Sequence, residues 1–228
     1  ARLTPRSCQA WWPAENPQTS THSKKKGPAM KILHTADWHL CSKEGRIDRT
    51  DDLKNRVERV AELCEEHAVD LLLIAGDLFS DNATVDQMTE AFTHLRKTFT
   101  RFFERGGTIL AITGNHDRDG KINMIRAGMS LASPLAGQQG AVEKGRMYLV
   151  NGRYVARLTG AGGQRVQFVL VPYPFPSRYE LVRKGFTSLE EQNQQLHGAV
   201  ADWIREVSDR EDFDHSVPTV LAAHIHVK

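Results

Sequence analysis

The chain has 228 residues, of which 40% are hydrophobic and 25% charged, with a formal net charge of +2. That length suits one large domain, or a domain and a half, with enough apolar material for a core that needs no disulfide or metal staple. Three cysteines (Cys8, Cys41, Cys64) form no Cys-x-x-Cys pair, which points to reduced thiols and a cytoplasmic protein, and no apolar run approaches the ~18 residues of a membrane span.

Charge is unevenly spread. The first 29 residues hold five basic side chains and one acidic, so the remainder is slightly acidic. Nucleic-acid binding by the folded part would therefore come from a local patch or bound cations rather than bulk charge. Residues 1–29 are rich in Pro, Ser, Thr and Lys and show neither periodicity nor the apolar stretch of a secretory signal. They are expected to be a disordered leader or an expression-derived extension. One domain is expected over residues 30–228.

Order begins with "MKILHTAD", a short apolar run ending in a carboxylate, with His34 expected to be packed and hydrogen-bonded inside the strand. Leu53, Val57, Val60, Ala61 and Cys64 then recur on one helical face. "VDLLLIAGD" fits a strand buried on both faces. Thr84 can cap a second helix with the face Met88, Phe92, Leu95, Phe99 and Phe102, stopped by Gly106-Gly107. "TILAITGNHD" is a third strand. This β-α-β-α-β order implies parallel strands joined by right-handed crossovers.

The second half differs in style. In "MYLVNGRYVARL", Asn-Gly between two β-rich runs predicts a hairpin. "GAGGQ" turns the chain into "RVQFVLVPYPFP". Ser188 and Glu191 predict a capping box opening a helix with Leu196, Val200, Trp203, Ile204 and Val207 on its face. "VPTVLAAH" is a last strand.

Four strand ends are polar: "ADWH", "AGDLF", "TGNHD" and "AAHIH". In open α/β sheets, sites form outside such carboxyl ends. Asp37 and His39, two apart, can face one side if extended. Asp77, then Asn115, His116 and Asp117, then His224 complete the set. Carboxylates, an amide oxygen and imidazoles without thiolate favour Mn2+, Fe or Zn2+ over a soft metal. Each piece alone has a bland explanation: Asp37 as a strand-end cap, Asp77 as a helix cap, Gly-Asn as a turn. "GNHD", however, arises by chance in only about one chain in a thousand of this length.

This ordered series resembles the calcineurin-like metallophosphoesterase superfamily. "MKILHTADWHL", "LLLIAGDLF", "ITGNHD" and "VPYPFPSRY" are more narrowly similar to the SbcD family of DNA repair nucleases. The resemblance covers Met30 to Lys228. It implies an αββα sandwich of two mostly parallel or mixed sheets flanked by helices, and a two-metal phosphodiesterase, Mn2+ first among the cations, with Fe or Zn as alternatives. It implies that Asp37 and His39 hold one metal, that Asp77 bridges, and that Asn115 and His224 hold the other. His116 would contact the scissile phosphate and assist the leaving oxygen, with Asp117 orienting its ring. DNA, an SbcC-type ABC ATPase and a second copy of the chain are the partners implied; the Phe-rich face from Met88 to Phe103 is expected to be mostly core, with packing against a second subunit, together with "INMIRAGMSL", as the alternative. Cys41 stands where the family usually has glycine.

Locally, "AAHIH" fits either of two family motifs: an earlier single histidine or a later Gly-His-x-His pair. Its order in the chain assigns it to the first, with His224 as a ligand and His226 as a bystander. On that assignment the pair, the DNA-capping domain and the ATPase-docking helices lie beyond Lys228, and a chain ending there is expected to bind metal weakly. The function implied is then that of a DNA nuclease subunit in double-strand-break or hairpin processing. The alternatives are a phosphatase or cyclic-nucleotide phosphodiesterase, or an inactive module acting through dimerisation or ATPase docking.

Overall fold

The computed structural model describes residues 29–131, 145–181 and 185–225. The leader expected at residues 1–29 falls outside them but for its last residue, and so does His226. In chain order, β1 (Ile32–Thr35) is followed by a small hairpin, β2 (Lys43–Glu44) and β3 (Ile47–Asp48). Next come α1 (Thr50–Glu66), β4 (Leu71–Ala75), α2 (Val85–Thr98), α3 (Thr100–Glu104), β5 (Thr108–Ile112), α4 (Asp119–Leu131) and β6 (Met147–Val150). The chain then forms β7 (Tyr154–Thr159), β8 (Arg165–Val171), a 3-10 turn at Pro176–Tyr179, α5 (Leu189–Ser208) and β9 (Thr219–Ala223).

Two sheets lie face to face. The first is parallel throughout, in the order β1-β4-β5-β6. The second has the order β7-β8-β9, with β7 antiparallel and β9 parallel to β8. Side-chain alternation along a strand sorts the core into two layers. Leu71, Leu73 and Ala75 of β4, with Leu110 and Ile112 of β5, meet Ala156, Val166, Phe168, Leu170 and Ala222 of the second sheet. Leu72, Ile74, Ile109 and Ala111 face the other way, onto Val57, Ala61 and Cys64 of α1 and Met88 and Leu95 of α2. The central strands β4 and β5 are thus buried at every residue, as their unbroken apolar runs require. In a third, smaller cluster α5 seats Leu196 against Tyr179 and Leu181. The layered α/β architecture is the one expected.

Local expectations fare unevenly. Thr84 caps α2 with a full capping box through Gln87. The Met88–Phe102 face is real, but the helix breaks at Phe99, which ends α2 and starts α3. Ser188 accepts from the Glu191 amide, while the Glu191 carboxylate reaches back to the Thr187 amide and hydroxyl instead of closing the box on Ser188.

Two expectations are overturned. Asn151-Gly152 does not turn a hairpin: β6 pairs in parallel with β5, whereas β7 pairs with β8 in the other sheet, so the turn carries the chain from sheet to sheet. The hairpin is β7–β8, closed over Gly160 and Gly163. His34 is exposed, not packed, because β1 is the edge strand of its sheet.

Candidate metal centre

The predicted residues converge where the carboxyl ends of both sheets meet. Past the end of β1 the backbone stays paired with the loop after β4: the Asp37 amide donates to Gly76 O (3.1 Å), His39 to Asp77 O (2.9 Å) and Leu40 to Leu78 O (3.0 Å). The two loops run side by side by adopting left-handed backbone at Asp37 (φ 54°), His39 (43°), Cys41 (66°) and Asp77 (49°). Asp37 and His39 therefore do not meet through an extended i, i+2 spacing. Four left-handed non-glycine residues in these two loops, beside Gly76 at φ 96°, store strain of the kind found at functional sites.

The motif glycines have a steric reason. A Cβ on Gly76 would collide with the His224 ring, and one on Gly114 with the Asp77 carboxylate. Both glycines are what let the side chains close in.

Asp77 is only 2% exposed. Its Oδ2 lies 3.7 Å from His39 Nε2 and 3.4 Å from His224 Nε2, so the carboxylate stands between two imidazoles. His39 Nε2 is 3.9 Å from Asp37 Oδ1, and His224 Nε2 is 3.2 Å from Asn115 Oδ1. The ligand atoms fall into two groups sharing Asp77: Asp37, Asp77 and His224, and His39, Asp77 and His116. The His224 tautomer tests the fit to a cation. Nδ1 lies 2.8 Å from Ala75 O and must carry the proton to bond there. Nε2 then offers a lone pair toward the Asn115 and Asp77 oxygens. Acceptors aimed at one another in a half-buried site are what a divalent ion reconciles, and a carbonyl-anchored imidazole is the usual support of a metal ligand.

His116 completes the rim. Its amide donates to Asp77 Oδ1 (2.8 Å), and its ring packs edge-on against His39, 4.9 Å between centroids. The expected role of Asp117 is corrected here. The carboxylate that meets the His116 ring, at Nδ1, belongs to Asp81, whose second oxygen pairs with Arg118 (2.9 Å). The Asp81 hydrogen bond holds the imidazole above its ordinary pKa against the opposing effect of burial, with the Asp77 charge adding to it. Asp117, 1% exposed, instead accepts from the amides of Leu78 (3.1 Å), Phe79 (2.9 Å) and Gly114 (2.9 Å). Burial raises its pKa, and those three amides oppose the rise. Asp117 thus ties the "GDLF" loop to the "GNHD" loop. Asp81 escaped notice because "SDNAT" reads as a turn before a helix cap. The available signal was its place, in a loop just outside a strand's carboxyl end. Cys41 beside the site is buried, and burial pushes its thiol up.

The model of the calcineurin-like phosphoesterases matches residues 30–228. The chain belongs to the calcineurin-like phosphoesterase family. This phosphoesterase is similar to the SbcD component of nuclease SbcCD from Escherichia coli (strain K12), 25% identical over 184 residues, which cover 78% of the chain and 41% of the relative. It is 32% identical over 113 residues to the corresponding SbcD protein of Bacillus subtilis (strain 168), covering 49% and 26%. For the Staphylococcus epidermidis protein the figures are 35% over 95 residues, covering 41% and 25%. The phosphoesterase thus spans less than half the length of these relatives. Among its described residues no helix is long and apolar enough to cross a membrane.

Proposed function

We propose that this phosphoesterase is the catalytic part of a cytoplasmic, metal-dependent DNA nuclease subunit of the SbcD type, acting in double-strand-break or hairpin processing. It would work as a homodimer with an SbcC-type ABC ATPase. The observation that carries the reading is the buried Asp77 carboxylate set between His39 Nε2 and His224 Nε2. Asp37 and His39 would hold one cation, Asn115 and His224 the other, and Asp77 would bridge them. Two divalent ions there, Mn2+ before Fe or Zn, would supply Lewis acidity and an acidified water.

The protein's own groups do the rest. Asp81 occupies Nδ1 of His116, which leaves Nε2 to face a substrate. With its Nδ1 paired to Asp81, which raises its pKa, that imidazole would give a proton to the departing oxygen of the phosphodiester. Arg118 fixes Asp81 from the other side. Asp117 takes no part in proton transfer and keeps the two loops in register. The Phe-rich face named as the alternative dimer contact is taken up by the core, where Met88, Phe99 and Phe102 are buried.

The experiment compares Mn2+-dependent cleavage of end-labelled DNA with turnover of p-nitrophenyl phosphate. Weak DNA cleavage, lost on chelation, is the expected result, in keeping with the weak metal binding expected from the sequence. Monoester turnover without DNA cleavage would replace this reading by a phosphatase. No turnover of either, with biological effect retained in Asp77→Asn, would replace it by a docking module.

A further inference from the structure

The "PYPFP" segment takes no part in the chemistry above, yet it forms one wall of the site. Tyr173 follows β8, and its amide donates to Thr113 O (2.9 Å), next to the loop that carries Asn115. Its ring lies 6.3 Å from the His224 ring, and the Phe175 ring lies 5.0 Å further along, edge-on. Pro172, Pro174 and Pro176 alternate with the two aromatics and restrict the backbone that presents them. Behind them Arg178 holds its guanidinium 4.8 Å over the Phe175 ring while donating to Tyr173 O (2.6 Å) and pairing with Asp119. Both rings are partly exposed, and neither belongs to any of the three apolar clusters formed among the described residues. Apolar packing among the described residues therefore does not explain two aromatics placed, stiffened and braced beside the candidate metal centre.

We propose that Tyr173 and Phe175 form an aromatic wall for the base of the nucleotide adjoining the scissile phosphate, the base packing face-on to one ring and against the edge of the other. The inference rests on the reading of the site as one that cleaves nucleic-acid phosphodiesters. A base in a closed duplex has no face to offer, so the wall selects unpaired strands and frayed ends. The physics is that of single-strand binders, where aromatic faces accept any base. A pre-set wall loses little freedom on binding, which is why stiffness matters as much as placement.

The test is fluorescence anisotropy of the 228-residue chain with a labelled oligothymidylate, against an abasic oligomer of equal length, in EDTA. Wild type is expected to bind the thymidylate more tightly. Tyr173→Ala and Phe175→Ala should each weaken that binding about tenfold and leave abasic binding unchanged, while Tyr173→Phe and Phe175→Trp retain it. Circular dichroism of each variant separates loss of fold from loss of stacking. Equal affinity of wild type for the two oligomers, alanine variants that bind like wild type, or equal losses on both oligomers would overturn the proposal, as would absence of thymidylate binding. Cleavage is read separately with Mn2+. Cleavage without base discrimination overturns the aromatic wall and keeps the nuclease reading, whereas base discrimination without cleavage sinks the nuclease reading and leaves a base-binding surface with no scissile phosphate beside it.

Discussion

The first sheet delivers Asp37, His39, Asp77, Asn115 and His116 from three loops, whereas the second delivers His224 from one strand end. The first-sheet loops are bound to one another by backbone pairing past the strand ends and by the three amides on Asp117. They pay for this with left-handed residues. His224 is placed differently: its amide bonds to Val171 O (3.1 Å), its ring to Ala75 O across the sheet interface, in the gap that Gly76 leaves. One rim is held by polar tethers that store strain, the other by the packing of sheet on sheet. Substitutions should separate these two modes of support.

Removing the central tether should have the largest effect. Asp117→Ala leaves three buried amides without their acceptor, each a desolvation cost of about 1–3 kcal/mol offset by relaxation and water entry. A loss of about 3–5 kcal/mol in urea unfolding is expected. A loss below about 1 kcal/mol would mean that backbone pairing alone holds the first rim.

Asp77→Asn acts on the chemistry and spares the tethers. The amide keeps an oxygen for the His116 amide and gains an N–H that can donate to a neighbouring imidazole Nε2. Stability without metal should therefore hold. Cation binding should fall by about a hundredfold or more, since even a ligand's supporting partner is worth 10–100-fold. Mn2+ at a hundred times its Kd stabilises a folded protein by about 2.7 kcal/mol, so thermal unfolding with and without Mn2+ reads the difference. A Mn2+-induced rise in Tm that survives in Asp77→Asn would place the cation elsewhere.

How far the sequence anticipates this structure follows the same division. Periodicity suffices for α1 and α2, and unbroken apolar runs suffice for β4 and β5, because burial alone dictates those patterns. Asn151-Gly152 misleads because a turn signal gives a local bend and says nothing about which sheet receives the next strand. His34 misleads because edge position is a property of sheet order. Among the site residues, Asp37, His39, Asp77, Asn115, His116 and His224 are legible as strand ends, and the structure brings them together. The exchange of roles between Asp81 and Asp117 is not legible: which carboxylate turns toward the imidazole depends on how two loops pack.

The smallest effect probes the strain itself. Cys41 is buried and sits at φ 66°, in the left-handed region where a β-carbon costs roughly 1–2 kcal/mol. Cys41→Ala and Cys41→Gly both delete the thiol, so lost packing is nearly common to the two. At ordinary positions alanine is the more stable by about 0.5–1 kcal/mol, because glycine has more freedom to lose on folding. At Cys41 the order should invert, with Cys41→Gly the more stable by about 1 kcal/mol, since only alanine keeps the clashing β-carbon. Urea unfolding of the two variants side by side checks the sign. Alanine equal to or above glycine would mean that the loop after His39 relaxes without penalty, and the contrast between a strained first rim and an unstrained second would fail at that residue. The inversion would also fit the local geometry: the backbone conformation is set by pairing of Leu40 with the loop after β4, and the residue that follows turns left as the chain leaves.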